Sequence, residues 1–171
     1  MTAAGHPDDG EPGPRPQYSS GYYGAFVRDP DGNSVEAVHH DEPRGGENRL
    51  DHLWIRVRDL VETRFFYETV VPIVGLRVRD GAAANRFHVA GSDRSFALVR
   101  ESPATENVHL AFPAPDRATV DAFHAAAVEA GFRDNGAPGE RPEYHVGYYG
   151  AYVLDPDGNN VEAVFHDRGG S

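Results

Sequence analysis

Residues 139–167 read GERPEYHVGYYGAYVLDPDGNNVEAVFHD, and residues 13–41 read GPRPQYSSGYYGAFVRDPDGNSVEAVHHD. At this fixed offset of 126 the two stretches differ at eight of 29 positions and are identical at 21. A duplication of this strength has to be recognised before any fold is assigned. In each copy, two runs rich in β-branched and aromatic residues flank the turn sequence Asp-Pro-Asp-Gly, in which the glycine supplies the positive φ of a reversal. The duplicated stretch therefore predicts a β-hairpin, with strands at 148–154 and 160–166 in the second copy.

The sequence before the second copy has no counterpart before the first. A strand is predicted at 107–112, followed by a helix that Asp116 caps and Gly131 closes, and then by a short strand at 132–134. Only residues 1–12 precede the first copy. The first copy is therefore expected to be an orphan fragment of a larger repeating unit.

The residues between the two copies repeat the same order of elements. Alternating apolar residues predict a strand at 50–57, and Asp59 with Glu62 three residues later has the form of a helix capping box. Three short strands are predicted at 76–79, 86–90 and 95–100. The fold class is therefore α+β: two βαβββ modules forming a curled pseudo-twofold sheet around a cavity, with an extra N-terminal β-hairpin repeat.

This order divides the chain into segments. Residues 1–12, rich in Gly, Pro and Asp, are expected to be a disordered tail, and 42–48 (EPRGGEN) a linker after the orphan copy at 13–41. Residues 49–167 form the main domain, with modules at 49–101 and 106–167. Residues 168–171 form a C-terminal tail.

Composition excludes several classes of function. The chain has 171 residues, 27 acidic against 16 basic residues and a net charge of −11, which disfavours nucleic acids and anionic membranes as partners. Cysteine is absent, which removes thiolate chemistry, and lysine is absent, which removes Schiff-base chemistry. No secretory signal or membrane-spanning run is visible, so a cytoplasmic location is expected. No cluster of basic residues predicts an anion-binding pocket.

Three polar side chains interrupt the apolar pattern of the predicted strands. His52, His109 and Glu162 each lie between mostly apolar neighbours, so their side chains are expected on the face away from the helices. Two imidazoles and one carboxylate that converge in a cavity form a facial triad for a divalent metal ion. The alternative is that each is a solvated residue on the outer face of its strand.

Three segments resemble the vicinal oxygen chelate superfamily, which contains glyoxalase I, extradiol dioxygenases, fosfomycin-modifying enzymes and bleomycin-binding resistance proteins. They are LDHLWIRVRDLVETRFFYE from residue 50, residues 107–145, and GYYGAYVLDPDGNNVEAVFH from residue 147. The resemblance implies paired βαβββ modules around a divalent ion, held by ligands that fall on His52, His109 and Glu162. It does not select among Fe, Mn, Ni, Co and Zn, because a two-imidazole, one-carboxylate site accepts all of them.

The sequence departs from parts of that family pattern. Ala97 stands where glyoxalase I enzymes commonly place a fourth ligand, which tilts the prediction towards three-ligand enzymes. The extradiol dioxygenase signature is matched in part, and the match implies that His145 is an acid or base and that Tyr148 or Tyr152 orients the substrate. Tyr148 and Tyr152 both lie on the strand predicted at 148–154. Packing within the strand is the alternative role for both, and it is favoured for Tyr152.

The resemblance favours a metal-dependent enzyme, of dioxygenase, glyoxalase or lyase type, acting on a small oxygen-chelating substrate. The alternative is a protein that sequesters a small molecule, as bleomycin-resistance proteins do, without catalysis. A homodimer is expected by analogy. Glu36 of the orphan copy stands at the position of Glu162, so the two copies are equivalent candidates for one place in a sheet; we expect the C-terminal copy to occupy it, and the first copy to pack on an edge or pair with a second chain.

Overall fold

The computed structural model describes residues 5, 7–41, 50–91 and 95–167. The linker expected at 42–48 and the tail expected at 168–171 lie outside the described residues. Contacts divide the chain into two compact units, Met1–Asp51 and His52–Ser171. The first unit contains the orphan copy, and the second contains both βαβββ modules.

The N-terminal unit is a three-stranded antiparallel sheet in the order β1-β2-β3. Its strands are β1 (Asp8–Pro14), β2 (Tyr23–Arg28) and β3 (Ser34–His39). Residues 8–12 therefore belong to a strand, and the expectation of a disordered tail is wrong for them. They pair with β2 although they lack an apolar pattern, and Gly10, at φ 157°, lies at an irregularity in that pairing.

The first module begins with β4 and places its helix on one face of a four-stranded sheet in the order β4-β7-β6-β5. Its elements are β4 (His52–Val57), α1 (Leu60–Val70), β5 (Arg77–Asp80), β6 (Arg86–Ala90) and β7 (Ser95–Arg100). Helix α1 starts where predicted, because the Asp59 carboxylate accepts hydrogen bonds from the amides of Val61 and Glu62.

The second module repeats this design with the strand order β8-β11-β10-β9. Its elements are β8 (His109–Pro113), α2 (Arg117–Glu129), β9 (Arg133–Glu140), β10 (Tyr148–Leu154) and β11 (Asn160–His166). Strand β11 runs parallel to β8, with Glu162 opposite Ala111. The prediction that the C-terminal copy occupies this place is confirmed, while the orphan copy forms a sheet of its own.

The two modules share one hydrophobic core. It contains the helix-facing residues of both sheets, among them Ile55 and Leu98 from the first and Val161 from the second. Phe132 joins the modules, with its ring 4.9 Å from that of Phe66. Because both sheets turn their helix-bearing faces towards this core, their opposite faces point away from it. Neither helix, of 11 and 13 residues, is long and apolar enough to cross a membrane within the described part of the chain.

Candidate functional site

Glu162 is the centre of the candidate site. It lies in the middle of β11 on the face away from α2, and it is fully buried. One carboxylate oxygen, Oε1, accepts a hydrogen bond of 2.6 Å from the Tyr148 hydroxyl, and the other, Oε2, lies 2.9 Å from Nε2 of His109. A buried carboxylate needs such partners, because its desolvation is otherwise strongly unfavourable. The structure thus brings together three of the five predicted site residues.

Two features of β10 complete the surroundings of this carboxylate. Gly150 leaves room for it, since a Cβ at this position would lie 2.7 Å from Oε1 of Glu162. The Tyr152 hydroxyl is buried and has no hydrogen-bond partner within the described part of the chain. Burial and the nearby Glu162 carboxylate raise the pKa of Tyr152 to about 12, so its hydroxyl remains an unused donor. Burial and the bond to Glu162 raise the pKa of Tyr148 as well.

His145 lies beside this group, in the turn before β10. Its Nδ1 is 2.8 Å from the carbonyl oxygen of Val146, and its Nε2 is 2.9 Å from Nδ1 of His166. A carbonyl oxygen can only accept, so Nδ1 of His145 donates and, in the neutral ring, Nε2 accepts from His166. The ring of His145 also contacts that of Tyr148, at 5.3 Å between centroids. His145 is therefore linked to Glu162 through Tyr148.

His52 lies on the other sheet. It is the first residue of β4, opposite Ser95, on the face away from α1. Among the described residues, no three His, Asp or Glu side chains are close enough to hold one metal ion. His52 is therefore not brought to His109 and Glu162 within one chain, and its role as a ligand remains a prediction.

The chemistry of the donors that do meet suits a divalent ion in part. An imidazole nitrogen and a carboxylate oxygen are common ligands of Zn, Fe, Mn and Ni. Two atoms bound to one ion at about 2.1 Å and at right angles are about 3 Å apart, close to the observed 2.9 Å separation of His109 and Glu162. The pair therefore fits two adjacent positions of a metal site that needs a further ligand.

The N-terminal sheet reproduces part of this geometry. The Tyr22 hydroxyl donates a hydrogen bond of 2.6 Å to Oε1 of Glu36, and a Cβ at Gly24 would lie 2.7 Å from that oxygen. These values match those of Tyr148, Gly150 and Glu162. No strand of the described N-terminal unit corresponds to β8. The duplication therefore provides an internal reference for the contacts among Tyr148, Gly150 and Glu162.

Sequence reasoning missed two members of the site. Tyr152 is ranked below Tyr148 by the sequence, although alternation along β10 places its side chain on the same face as Tyr148 and opposite Glu162. His166 is not singled out by the sequence, and only the pairing of β10 with β11 reveals it as the partner of His145. The two-residue alternation of side chains along the strand was a signal for Tyr152, whereas no sequence signal pointed to His166.

Comparison with known proteins agrees with the fold. Residues 49–163 match the model of the Glyoxalase/Bleomycin resistance protein/Dioxygenase superfamily. A search of curated proteins finds no match. Among solved structures, a glyoxalase/bleomycin resistance protein from Albidiferax ferrireducens is 28% identical, with a TM-score of 0.59; the match covers 69% of this chain and 98% of that one.

Glyoxalase I from Zea mays matches almost the whole chain. A V278E mutant of it is 26% identical, with a TM-score of 0.67, over 96% of this chain, which spans 61% of the maize protein. A lactoylglutathione lyase from Agrobacterium tumefaciens, at 19% identity and a TM-score of 0.54, shares the fold. From the match over residues 49–163, the chain belongs to the Glyoxalase/Bleomycin resistance protein/Dioxygenase superfamily.

Proposed function

We propose that the chain is a divalent-metal-dependent enzyme acting on a small substrate that offers two neighbouring oxygen atoms. His109 and Glu162 supply two of the ligands. The observation that carries the proposal is their 2.9 Å approach, with Glu162 fully buried on the outer face of its sheet. A bound ion would act there as a Lewis acid towards the substrate oxygens.

The third ligand is His52 of a second copy. Within one chain, the face that carries His52 and the face that carries Glu162 both point away from the shared core. In a twofold dimer, a contact of one patch with another occurs twice, so each copy gives its His52 to the partner and receives the partner's. The expected homodimer then has a chemical reason, because each site is incomplete in one chain.

The remaining residues have separate tasks around the substrate. Tyr148 keeps its proton and holds Glu162 in place through the 2.6 Å hydrogen bond. The unpartnered hydroxyl of Tyr152 donates to a substrate oxygen. His145 moves a proton, since its Nε2 lies 2.9 Å from Nδ1 of His166 and a proton can pass between the two imidazoles.

Metal binding by matched variants tests this function. Metal-stripped protein is titrated with Ni²⁺, Mn²⁺, Fe²⁺ and Zn²⁺, and bound metal is measured for the wild type, Glu162→Gln and Glu36→Gln. We expect about one ion per chain in the wild type and in Glu36→Gln, and a loss of binding in Glu162→Gln. Equal losses in the two variants would contradict the assignment, and wild-type protein that binds no ion would favour a small-molecule-binding protein without catalysis.

A further inference from the structure

The outer face of the first sheet carries four arginines that sequence inspection does not group together. Arg77 and Arg79 come from β5, Arg86 from β6 and Arg56 from β4. Strand register brings them to one face, since Arg56 pairs with Val99 and Val99 with Arg86, while Arg79 pairs with His88. We call these four residues, with Trp54 and His88 on the same face, the arginine face. No run of basic residues predicted it, because its members are spread over three strands.

The arginines of this face differ from Arg58, Arg64 and Arg117 in their ionic partners. Elsewhere in the second unit, Arg58 pairs with Asp157 at 3.0 Å and Arg64 with Asp80 at 2.6 Å. Within the described residues, no carboxylate forms an ion pair with Arg56, Arg77, Arg79 or Arg86. In a chain of net charge −11, a face with four unneutralised cations stands out, and it attracts anions.

Arg86 is held in place at the middle of the face. Its guanidinium lies 4.8 Å over the ring of Trp54, and its stem lies over Gly81, where a Cβ would clash with it. Its Nε is buried and finds no hydrogen-bond partner among residues 5, 7–41, 50–91 and 95–167. An N–H that is buried and unpaired is costly unless a ligand accepts from it. Burial and Arg86 also lower the pKa of His88, which leaves that ring neutral and able to accept or donate one hydrogen bond.

Two apolar residues of the central strand β7 also lie on this face. Ala97 and Val99 of β7, between β4 and β6, are both buried beneath the larger side chains of this face, and neither belongs to the shared core. Trp54 is 47% exposed, so part of its ring remains open although Arg86 covers it on one side. An open aromatic ring beside an arginine binds a flat apolar group together with a charged one.

We propose that the arginine face binds a small organic carboxylate with a flat apolar body. The carboxylate accepts from the Arg86 guanidinium, in the forked geometry that arginine offers to planar anions, and Arg56 adds a second positive charge. The flat body lies against Trp54. This inference deepens the proposed function. The arginine face also carries His52, so, if the proposed function holds, the bound carboxylate is part of the enzyme's substrate.

Trp54 is the only tryptophan of the chain, so its fluorescence reports on this face alone. The full-length, metal-stripped protein is titrated with phenylacetate, with its uncharged analogue phenylacetamide, and with inorganic phosphate. We expect saturable quenching by phenylacetate, and binding of phenylacetamide and phosphate weaker by about tenfold or more, since each lacks either the charge or the flat body. Absence of saturable quenching, or equal binding of phenylacetamide, would overturn the proposal, and equal binding of phosphate would overturn the choice of an organic acid.

Three variants assign the binding to arginine. Arg86→Gln is expected to weaken phenylacetate binding by about tenfold, and Arg86→Lys by less, because lysine keeps the charge without the fork. Arg133→Gln removes the same charge from β9 of the other sheet and should bind as the wild type does. Calorimetry repeats the comparison without the fluorophore, and Arg56→Gln replaces Arg86→Gln if that variant does not fold. Equal loss in Arg133→Gln would show a general charge effect and overturn the site.

The two proposals fail separately. Because the titration uses metal-stripped protein, phenylacetate binding is measured independently of metal binding, and Glu36→Gln in the N-terminal unit is expected to bind phenylacetate as the wild type does. Intact phenylacetate binding in protein that binds no metal would contradict the proposed metal enzyme and leave the arginine face standing. Intact metal binding without phenylacetate binding would contradict the arginine face and leave the proposed metal enzyme standing.

Discussion

The Tyr148 hydroxyl donates a 2.6 Å hydrogen bond to the buried Glu162 carboxylate, and 126 residues earlier Tyr22 and Glu36 form the same bond at the same distance. The two bonds differ in their surroundings. Glu162 is fully buried and also meets His109, whereas Glu36 is only half-buried. One chain therefore contains a candidate site and a matched reference for it.

Removing the donor to Glu162 is expected to destabilise the second unit. In Tyr148→Phe, a buried carboxylate oxygen loses its hydrogen bond, at a cost of about 1.5–3 kcal/mol in the free energy of unfolding. Urea unfolding followed by Trp54 fluorescence measures this change, since Trp54 belongs to the same unit. Tyr22→Phe serves as the control and should leave that transition unchanged; an unaltered midpoint in Tyr148→Phe would contradict the assigned bond.

Adding a methyl group beside the carboxylate is expected to displace it. In Gly150→Ala the new Cβ would lie 2.7 Å from Oε1 of Glu162, closer than carbon and oxygen approach without a shift. We expect metal affinity to fall by tenfold or more, about the effect of disturbing a ligand's orientation. Gly24→Ala makes the same contact with Glu36 and should bind metal normally. Wild-type affinity in Gly150→Ala would argue against Glu162 as a ligand.

Two defective variants should restore one another if the site is shared between copies. His52→Ala and Glu162→Gln each lack a ligand, but in a mixed dimer one of the two sites receives an intact set. Random mixing of subunits then yields about one quarter of the wild-type metal content. Each variant alone serves as the control. The two variants are mixed by denaturing and refolding them together. If the mixture binds no more metal than each variant alone, a site built from two chains is contradicted.

The duplicated turn predicts opposite pKa shifts at equivalent residues. Burial raises the pKa of Asp155 above its ordinary 3.8, whereas hydrogen bonds from Asn33 lower that of Asp29. Asp155 thus stabilises the fold below its unfolded pKa, a contribution lost as the pH rises through its folded pKa. Asp29 contributes above its unfolded pKa, and this is lost as the pH falls through its folded pKa. Carboxyl-carbon NMR titration should find Asp155 above 3.8 and Asp29 below; a common midpoint would disagree with both shifts.

Most of the fold could be predicted because local signals coincide with it. Asp59 and Asp116 cap the two helices as expected, and four strands, at 86–90, 95–100, 148–154 and 160–166, have the predicted bounds. Strand β1 was missed and β9 was predicted too short. Both are rich in glycine and proline, and both pair through an irregular register with a neighbouring strand, which sequence periodicity does not reveal.

The sequence predicts on which face of its sheet each site residue lies, but not whether the two faces meet. Period-two alternation correctly places Glu162 and His109 on the face away from the helix. The same rule places His52 on the corresponding face of its own sheet. Alternation says nothing about whether the two faces meet, because that depends on how the modules pack through their helices. The separation of His52 from the other two residues therefore required coordinates.

The ring of Phe132 against Phe66 has a consequence for how the second unit comes apart. Since the apolar faces of both sheets are buried in common, a protease cut between β7 and β8 would leave two halves, each with a large apolar surface in water. Neither half is expected to fold by itself. Backbone amides in β7 and β11 should then exchange with deuterium at similar rates, through one opening event that exposes them together.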